Sequence, residues 1–213
     1  MSSRTSTDAL PQLDQTESAR PVAKVPTRWW NWWPLLLGPC GAASVYILYA
    51  KDAMDFAPKP IQERVAIGLS ITAFCVCVLH LLVGRRPFHL LLSAVALTVV
   101  CREFHWEWTN TFVYASLAAI AAWAFVWRAN LIPYIDLNKH VRVWLVATAV
   151  TYVLSQALAR RAFRGVIPNE AAVYDLMEEI VENVAHVMLI VTAFLGPWLA
   201  RGVRVTEDCD PDS

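Results

Sequence analysis

Residues 64–83 read R-V-A-I-G-L-S-I-T-A-F-C-V-C-V-L-H-L-L-V, a run whose one charge, Arg64, stands at its edge. A helix of about 20 apolar residues spans the ~30 Å hydrocarbon core of a bilayer at ~1.5 Å per residue. A surface helix of a soluble protein needs no such continuity, because its outer face meets water. The predicted fold class is therefore all-α and membrane-embedded. Comparable runs at about 30–50, 88–108, 111–127, 141–160 and 173–200 extend the expectation to a bundle of six transmembrane helices over 29–200. Composition agrees: the 213 residues are 57% hydrophobic and 17% charged, against about 45–50% and ~25% in soluble domains. A soluble enzyme domain is excluded. The net charge of zero leaves no basic field for nucleic acid. Cys40, Cys75, Cys77, Cys101 and Cys209 form neither a C-x-x-C pair nor an extracellular framework.

Outside the apolar runs, residues 1–28 are polar, proline-bearing and mixed in charge, and are expected to form a disordered cytoplasmic tail. No signal peptide is expected, since the first apolar run starts only at Trp29. The L-L-G-P-C around Cys40 is read as ordinary helix rather than a lipoprotein box, because Pro39 precedes the cysteine and the apolar run continues beyond it. Residues 201–213, with Glu207, Asp208, Asp210 and Asp212, form an acidic tail. Trp29, Trp30, Trp32 and Trp33 beside Arg28, and Trp106 and Trp108, suit the aromatic belts at the headgroup level.

Orientation follows from Lys and Arg, since acidic residues weigh little in the positive-inside bias. Six crossings put Arg4, Arg20, Lys24, Arg28, Arg85, Arg86, Arg128, Lys139, Arg142, Arg201 and Arg204 on one side. The other side holds Lys51, Lys59, Arg64, Arg102, Arg160, Arg161 and Arg164. The bias favours cytoplasmic N- and C-termini, against the Arg160, Arg161 and Arg164 cluster.

Charges inside such segments cost about 2.5–3.5 kcal/mol each at the helix centre, so those that persist face the bundle interior and find partners. The third segment ends in C-R-E-F-H-W-E-W, with Arg102, Glu103, His105 and Glu107. The sixth begins Y-D-L-M-E-E-I-V-E-N-V-A-H, with Asp175, Glu178, Glu179, Glu182 and His186. With two crossings between them, the two clusters fall at the same depth, the outer half if the termini are inside. Rotation of about 100° per residue puts Asp175, Glu178, Glu179, Glu182 and His186 in one stripe ~100° wide. Glu182 and His186 lie about 12 Å and 18 Å along the helix from Tyr174, deep enough that surface water reaches them poorly. Glu103 and Glu107 share a face at i,i+4, whereas His105 points about 160° away. Thr148, Thr151, Tyr152 and Ser155 make a polar face on the fifth segment, of the kind that bonds between membrane helices. His80, His89 and His140 are read as interfacial. Cys75 and Cys77 diverge by about 200° and are read as packing residues rather than a redox pair.

Three readings fit this polar face. Glu182 and His186 can share one divalent metal ion, Zn, Mn or Fe, with Glu103 and Glu178 or Glu179 completing an oxygen-rich shell. The same groups can take protons or cations in a proton- or cation-coupled carrier. Arg102 can instead neutralise a glutamate in a structural or partner-binding membrane subunit, where ion pairs only set helix packing. No G-x-S-x-G elbow, H-E-x-x-H motif or Walker sequence supports a serine lipase, a zincin or an ATP-driven pump. A ceramidase-like histidine cluster fails on geometry, since His80 is expected at the opposite face from His105 and His186. The expected partner is the lipid bilayer, with a membrane-protein partner under the third reading.

With Arg102–Glu103 in a middle helix and Glu178, Glu179 and Glu182 as E-E-x-x-E in the last, the chain resembles uncharacterised bacterial multi-pass inner-membrane proteins that carry the same pair and run. The resemblance covers roughly residues 90–195. It implies an inner-membrane location and groups Arg102 and Glu103 with the last helix's glutamates, but brings no activity. His105, Glu107 and His186 fall outside that pattern.

Overall fold

The computed structural model describes residues 29–52, 58–104, 107–136, 139–167 and 169–196. Among them the chain is all-helical, without strands. A 3-10 turn, Trp29–Leu36, leads into α1, Leu37–Ala50. Then follow α2 (Lys59–Gly84), α3 (Pro87–Glu103), α4 (Thr109–Val126), α5 (Arg128–Asp136), α6 (Lys139–Ala159) and α7 (Glu170–Leu195). Both expected tails lie outside the described residues.

Three helices are long and apolar enough to cross a membrane: Trp32–Ala50, Lys59–Gly84 and Lys139–Ala159. The pair Thr111–Val126 and Arg128–Ile135, bent by 86° at Trp127, makes a fourth if taken as one span. The expectation of six is thus met in part. The third run stops at Glu103, giving α3 only 17 residues, about 25 Å of helix. The F-H-W-E-W that follows is rich in weak helix formers. α7 has ample length, 26 residues, but Glu170, Asp175, Glu178, Glu179 and Glu182 interrupt its apolar character.

Local chemistry sets the joints. Arg85 caps α2 in the left-handed region, at φ 46°, and Pro87 opens α3 where a missing N–H costs nothing. A two-residue joint folds α3 back on α2. α7 is the centre of the fold and packs against α1, α2 and α6. Ala73, Cys77, Phe88, Leu92, Ala96, Leu189 and Ala193 form one core among α2, α3 and α7. Val45, Leu158, Val173, Met177 and Val181 form another among α1, α6 and α7. The polar face expected on α6 is turned to α7: Thr148 and Thr192 hydroxyls meet at 3.1 Å and Thr151 Oγ1 lies 3.5 Å from Met188 Sδ. Tyr152 meets His186 in the same way. Of the arginines that oppose the positive-inside bias, Arg160 donates to Tyr114 at 2.6 Å and Arg161 donates to Tyr174.

His80 and His89, expected at the interface, are buried instead. Their rings stack at 5.3 Å between centroids, because the short α2–α3 joint brings the two helix ends together. Trp32 and Trp33 are exposed as a belt requires, and Trp108 is exposed beyond the end of α3. His105 and Trp106 lie outside the described residues.

Gly38 shows how closely α1 and α6 approach. A Cβ there would stand 2.9 Å from Thr151 Oγ1 and 3.0 Å from its Cγ2. Gly38→Val is expected to destabilise the protein by about 1–3 kcal/mol through overpacking. Unfolding in detergent micelles measures it, and an unchanged midpoint would show that Thr151 can move aside.

Candidate metal centre

The last turn of α3 and the middle of α7 meet through Arg102 and Glu182. Arg102 Nη1 and Nη2 engage the two oxygens of Glu182 as a fork, Nη2 at 2.9 Å from Oε2. Glu182 is 4% exposed. Such a bidentate pair is the strong form of ionic hydrogen bond and compensates the desolvation that burial imposes on both charges. Glu178 Oε1 stands 3.8 Å from Nη2. With its amide oxygen turned to the guanidinium, Gln156 of α6 accepts from Nη1 and Nη2 at 2.9 and 3.1 Å.

One turn deeper, His186 is fully buried. Its Nδ1 lies 2.7 Å from the backbone carbonyl oxygen of Glu182 and 3.3 Å from the Tyr152 hydroxyl. A carbonyl can only accept, so Nδ1 carries the proton and donates to it. In the neutral ring, Nε2 is then left with a bare lone pair. That atom is buried without a hydrogen-bond partner and stands 3.7 Å from Glu103 Oε1. Glu103, Glu182 and His186 each offer one ligand atom, and the three lie within 4.8 Å of one another. A backbone carbonyl fixing the tautomer so that the other nitrogen points at two carboxylates is the usual outer support of a histidine metal ligand. One imidazole nitrogen and two carboxylate oxygens suit Zn, Mn or Fe.

Above this cluster lies a cavity of about 260 Å³ lined by Glu63, Ile67, Arg102, Glu103, Glu178, Glu179 and Glu182. Its walls carry five carboxylates and one guanidinium, so cations are drawn toward Glu103 and Glu182.

The structure thus brings Arg102, Glu103, Glu178, Glu179, Glu182 and His186 together. Glu107 is a correction. The sequence reading extended α3 through it and placed it on the face of Glu103, but the helix ends at Glu103 and Glu107 sits in an exposed turn. Asp175 is exposed as well: its rotation fits the stripe, but it is a turn nearer the helix end than Glu179. Glu63 and Gln156 were not anticipated. Their signals were spacing relations, Glu63 four residues after Lys59, with which it pairs at 3.9 Å, and Gln156 four residues after Tyr152.

No family model, curated protein or solved structure matches the chain.

Proposed function

We propose that the chain is a six-crossing integral membrane protein, of the bacterial inner membrane, whose outward-facing site between α3 and α7 binds a divalent metal ion through Glu103, Glu182 and His186. The N- and C-termini lie in the cytoplasm under the positive-inside bias. α3 and α7 are the added crossings. Arg102 of α3 pairs with Glu182 of α7 and stands 3.8 Å from Glu178, and a cation bound among the remaining carboxylates would meet the requirement that ionisable groups in a membrane bundle find partners.

The observation that carries the metal assignment is the buried Nε2 of His186, which makes no hydrogen bond, stands 3.7 Å from Glu103 Oε1 and is turned that way by the bond of Nδ1 to the Glu182 carbonyl. A divalent ion held by Glu103, Glu182 and His186 would supply a Lewis acid beside the cavity that Glu103 and Glu182 line. Glu63, Glu178 and Glu179 at its walls concentrate cations there.

Mass spectrometry of the detergent-purified full chain tests the assignment. The expected result is one transition-metal ion per chain, lost in His186→Ala and reduced in Glu182→Gln. Wild-type protein without stoichiometric metal, or metal retained in His186→Ala, would overturn it. Cation or proton flux through proteoliposomes, abolished by Glu182→Gln in protein that holds no metal, would make the cavity a carrier path.

A further inference from the structure

The end of the bundle opposite the acidic cavity gathers basic residues from several joints. Arg85 and Arg86 link α2 to α3, Arg128 starts α5, and Lys139 and Arg142 stand in the first turn of α6. Arg85, Arg128, Lys139 and Arg142 are exposed. Against these five basic residues, the stretches 84–87 and 123–142 hold one acidic residue, Asp136. Packing draws the joints together. Arg86 Cζ lies 5.7 Å from the centre of the Tyr134 ring of α5, and α5 packs on α3 and α6.

The bend after α4 sets this face at a definite depth. α4 has 18 residues, about 27 Å of helix, and the 86° turn at Trp127 swings α5 almost perpendicular to it. With α4 across the bilayer, α5 lies along the surface. Phe125 and Val126 are exposed just before the bend and Ile132 beyond it, while Leu131 is buried against the bundle. Trp123 and Trp127, with ring centres 5.5 Å apart, fall at the level where amphipathic rings mark the headgroup boundary. Arg128, its Cζ 4.6 Å from the centre of the Phe125 ring, is held at the same level.

Zwitterionic headgroups offer no net charge to match this excess of basic residues. A basic cluster just outside membrane helices attracts anionic lipid by a factor of about five for each Lys or Arg near the surface, and a guanidinium grips phosphate through paired N–H donors. We propose that this face, α5 with Arg85, Arg86, Arg128, Lys139 and Arg142, binds the phosphates of anionic phospholipids. The proposal rests on the chain lying in a membrane, but neither on bound metal nor on which side the termini lie.

The full chain, reconstituted in phosphatidylcholine vesicles, would be photolabelled with trace diazirine-tagged phosphatidylglycerol and with equally tagged phosphatidylcholine. The anionic probe is expected to label residues 123–142 at least about tenfold more than the zwitterionic one, and Arg128→Gln and Lys139→Gln each to cut that preference about fivefold. Both residues are exposed, so the variants are expected to fold. Arg128→Lys should keep most of the preference, and Arg160→Gln, at the other end of α6, should leave it unaltered. High salt should collapse it by screening. Equal labelling by the two probes, a preference indifferent to both Gln variants, or one abolished by millimolar inorganic phosphate, which would make this a site for a free anion, would each overturn the proposal. Labelling over 64–83 reports separately on the membrane reading: its absence with both probes overturns that reading, and its presence beside equal labelling at 123–142 overturns this proposal alone.

Discussion

Glu182→Leu alone is expected to destabilise the protein by about 3–5 kcal/mol, and Glu182→Leu combined with Arg102→Met to recover most of that loss. The asymmetry comes from desolvation. In the wild type both oxygens of Glu182 are held by the Arg102 fork, so each charge compensates the other's burial. Removing the carboxylate leaves the guanidinium with Glu178 at 3.8 Å, the neutral Gln156 amide and the other carboxylates that line the cavity, a looser set than the bidentate partner it has lost. Removing both charges and filling the space with apolar side chains eliminates the desolvation cost together with the attraction. Equilibrium unfolding in mixed micelles, run as a double-mutant cycle, measures both arms. A single variant within about 0.5 kcal/mol of wild type, or a double variant no better than the single, would show that the pair does not hold α3 to α7. The double variant should still lack metal, since Glu182 is a proposed ligand, and that separates packing from binding.

The pairing of α3 with α7 was legible because depth is. The sequence puts Arg102 near the end of one apolar run and Glu182 two turns beyond Tyr174 in another, the expected six crossings would set both at one level, and the two side chains meet. Rotation about helix axes is less legible. Spacing placed Asp175 in the same stripe as Glu182, but a stripe says nothing of which turn leaves the bundle, and Asp175 is exposed. Glu107 failed for a different reason: helical periodicity was carried past the end of α3 at Glu103.

Pairings between helices were hidden for lack of any local signal. The stacked His80 and His89 depend on how the Arg85–Arg86 joint sets α3 against α2. Glu63 reaches the cavity from α2, and Gln156 reaches Arg102 from α6. The approach of His186 Nε2 to Glu103 lies furthest from sequence reading. It follows from one hydrogen bond, Nδ1 to the Glu182 carbonyl, which i,i+4 spacing permits without requiring. α7 carries too many acids to be apolar enough to cross a membrane by composition, and α3 supplies the base that pairs with one of them.

Arg102→Gln is expected to tighten metal binding by about tenfold or more, equivalent to ~1.4 kcal/mol, although it removes a residue of the site. Arg102 and a metal ion compete for one group. The guanidinium occupies both oxygens of Glu182, while coordination with Glu103 and His186 requires at least one of them. On metal binding the arginine must release part of its grip and lean on Glu178 and Gln156, its remaining neighbours. Glutamine in its place takes away the competing charge and leaves Glu103, Glu178, Glu179 and Glu182 around one cavity with no guanidinium among them. The metal-free state becomes less favourable and the metal-bound state gains by the difference. The predicted signature is a less stable metal-free protein whose melting temperature rises more steeply with added metal than that of wild type, since a ligand stabilises by RT ln(1 + [L]/Kd). Arg102→Lys, which keeps the charge without the fork, should fall between the two. Unchanged or weaker metal binding in Arg102→Gln would mean that the arginine holds Glu182 in its ligating position instead of competing for it.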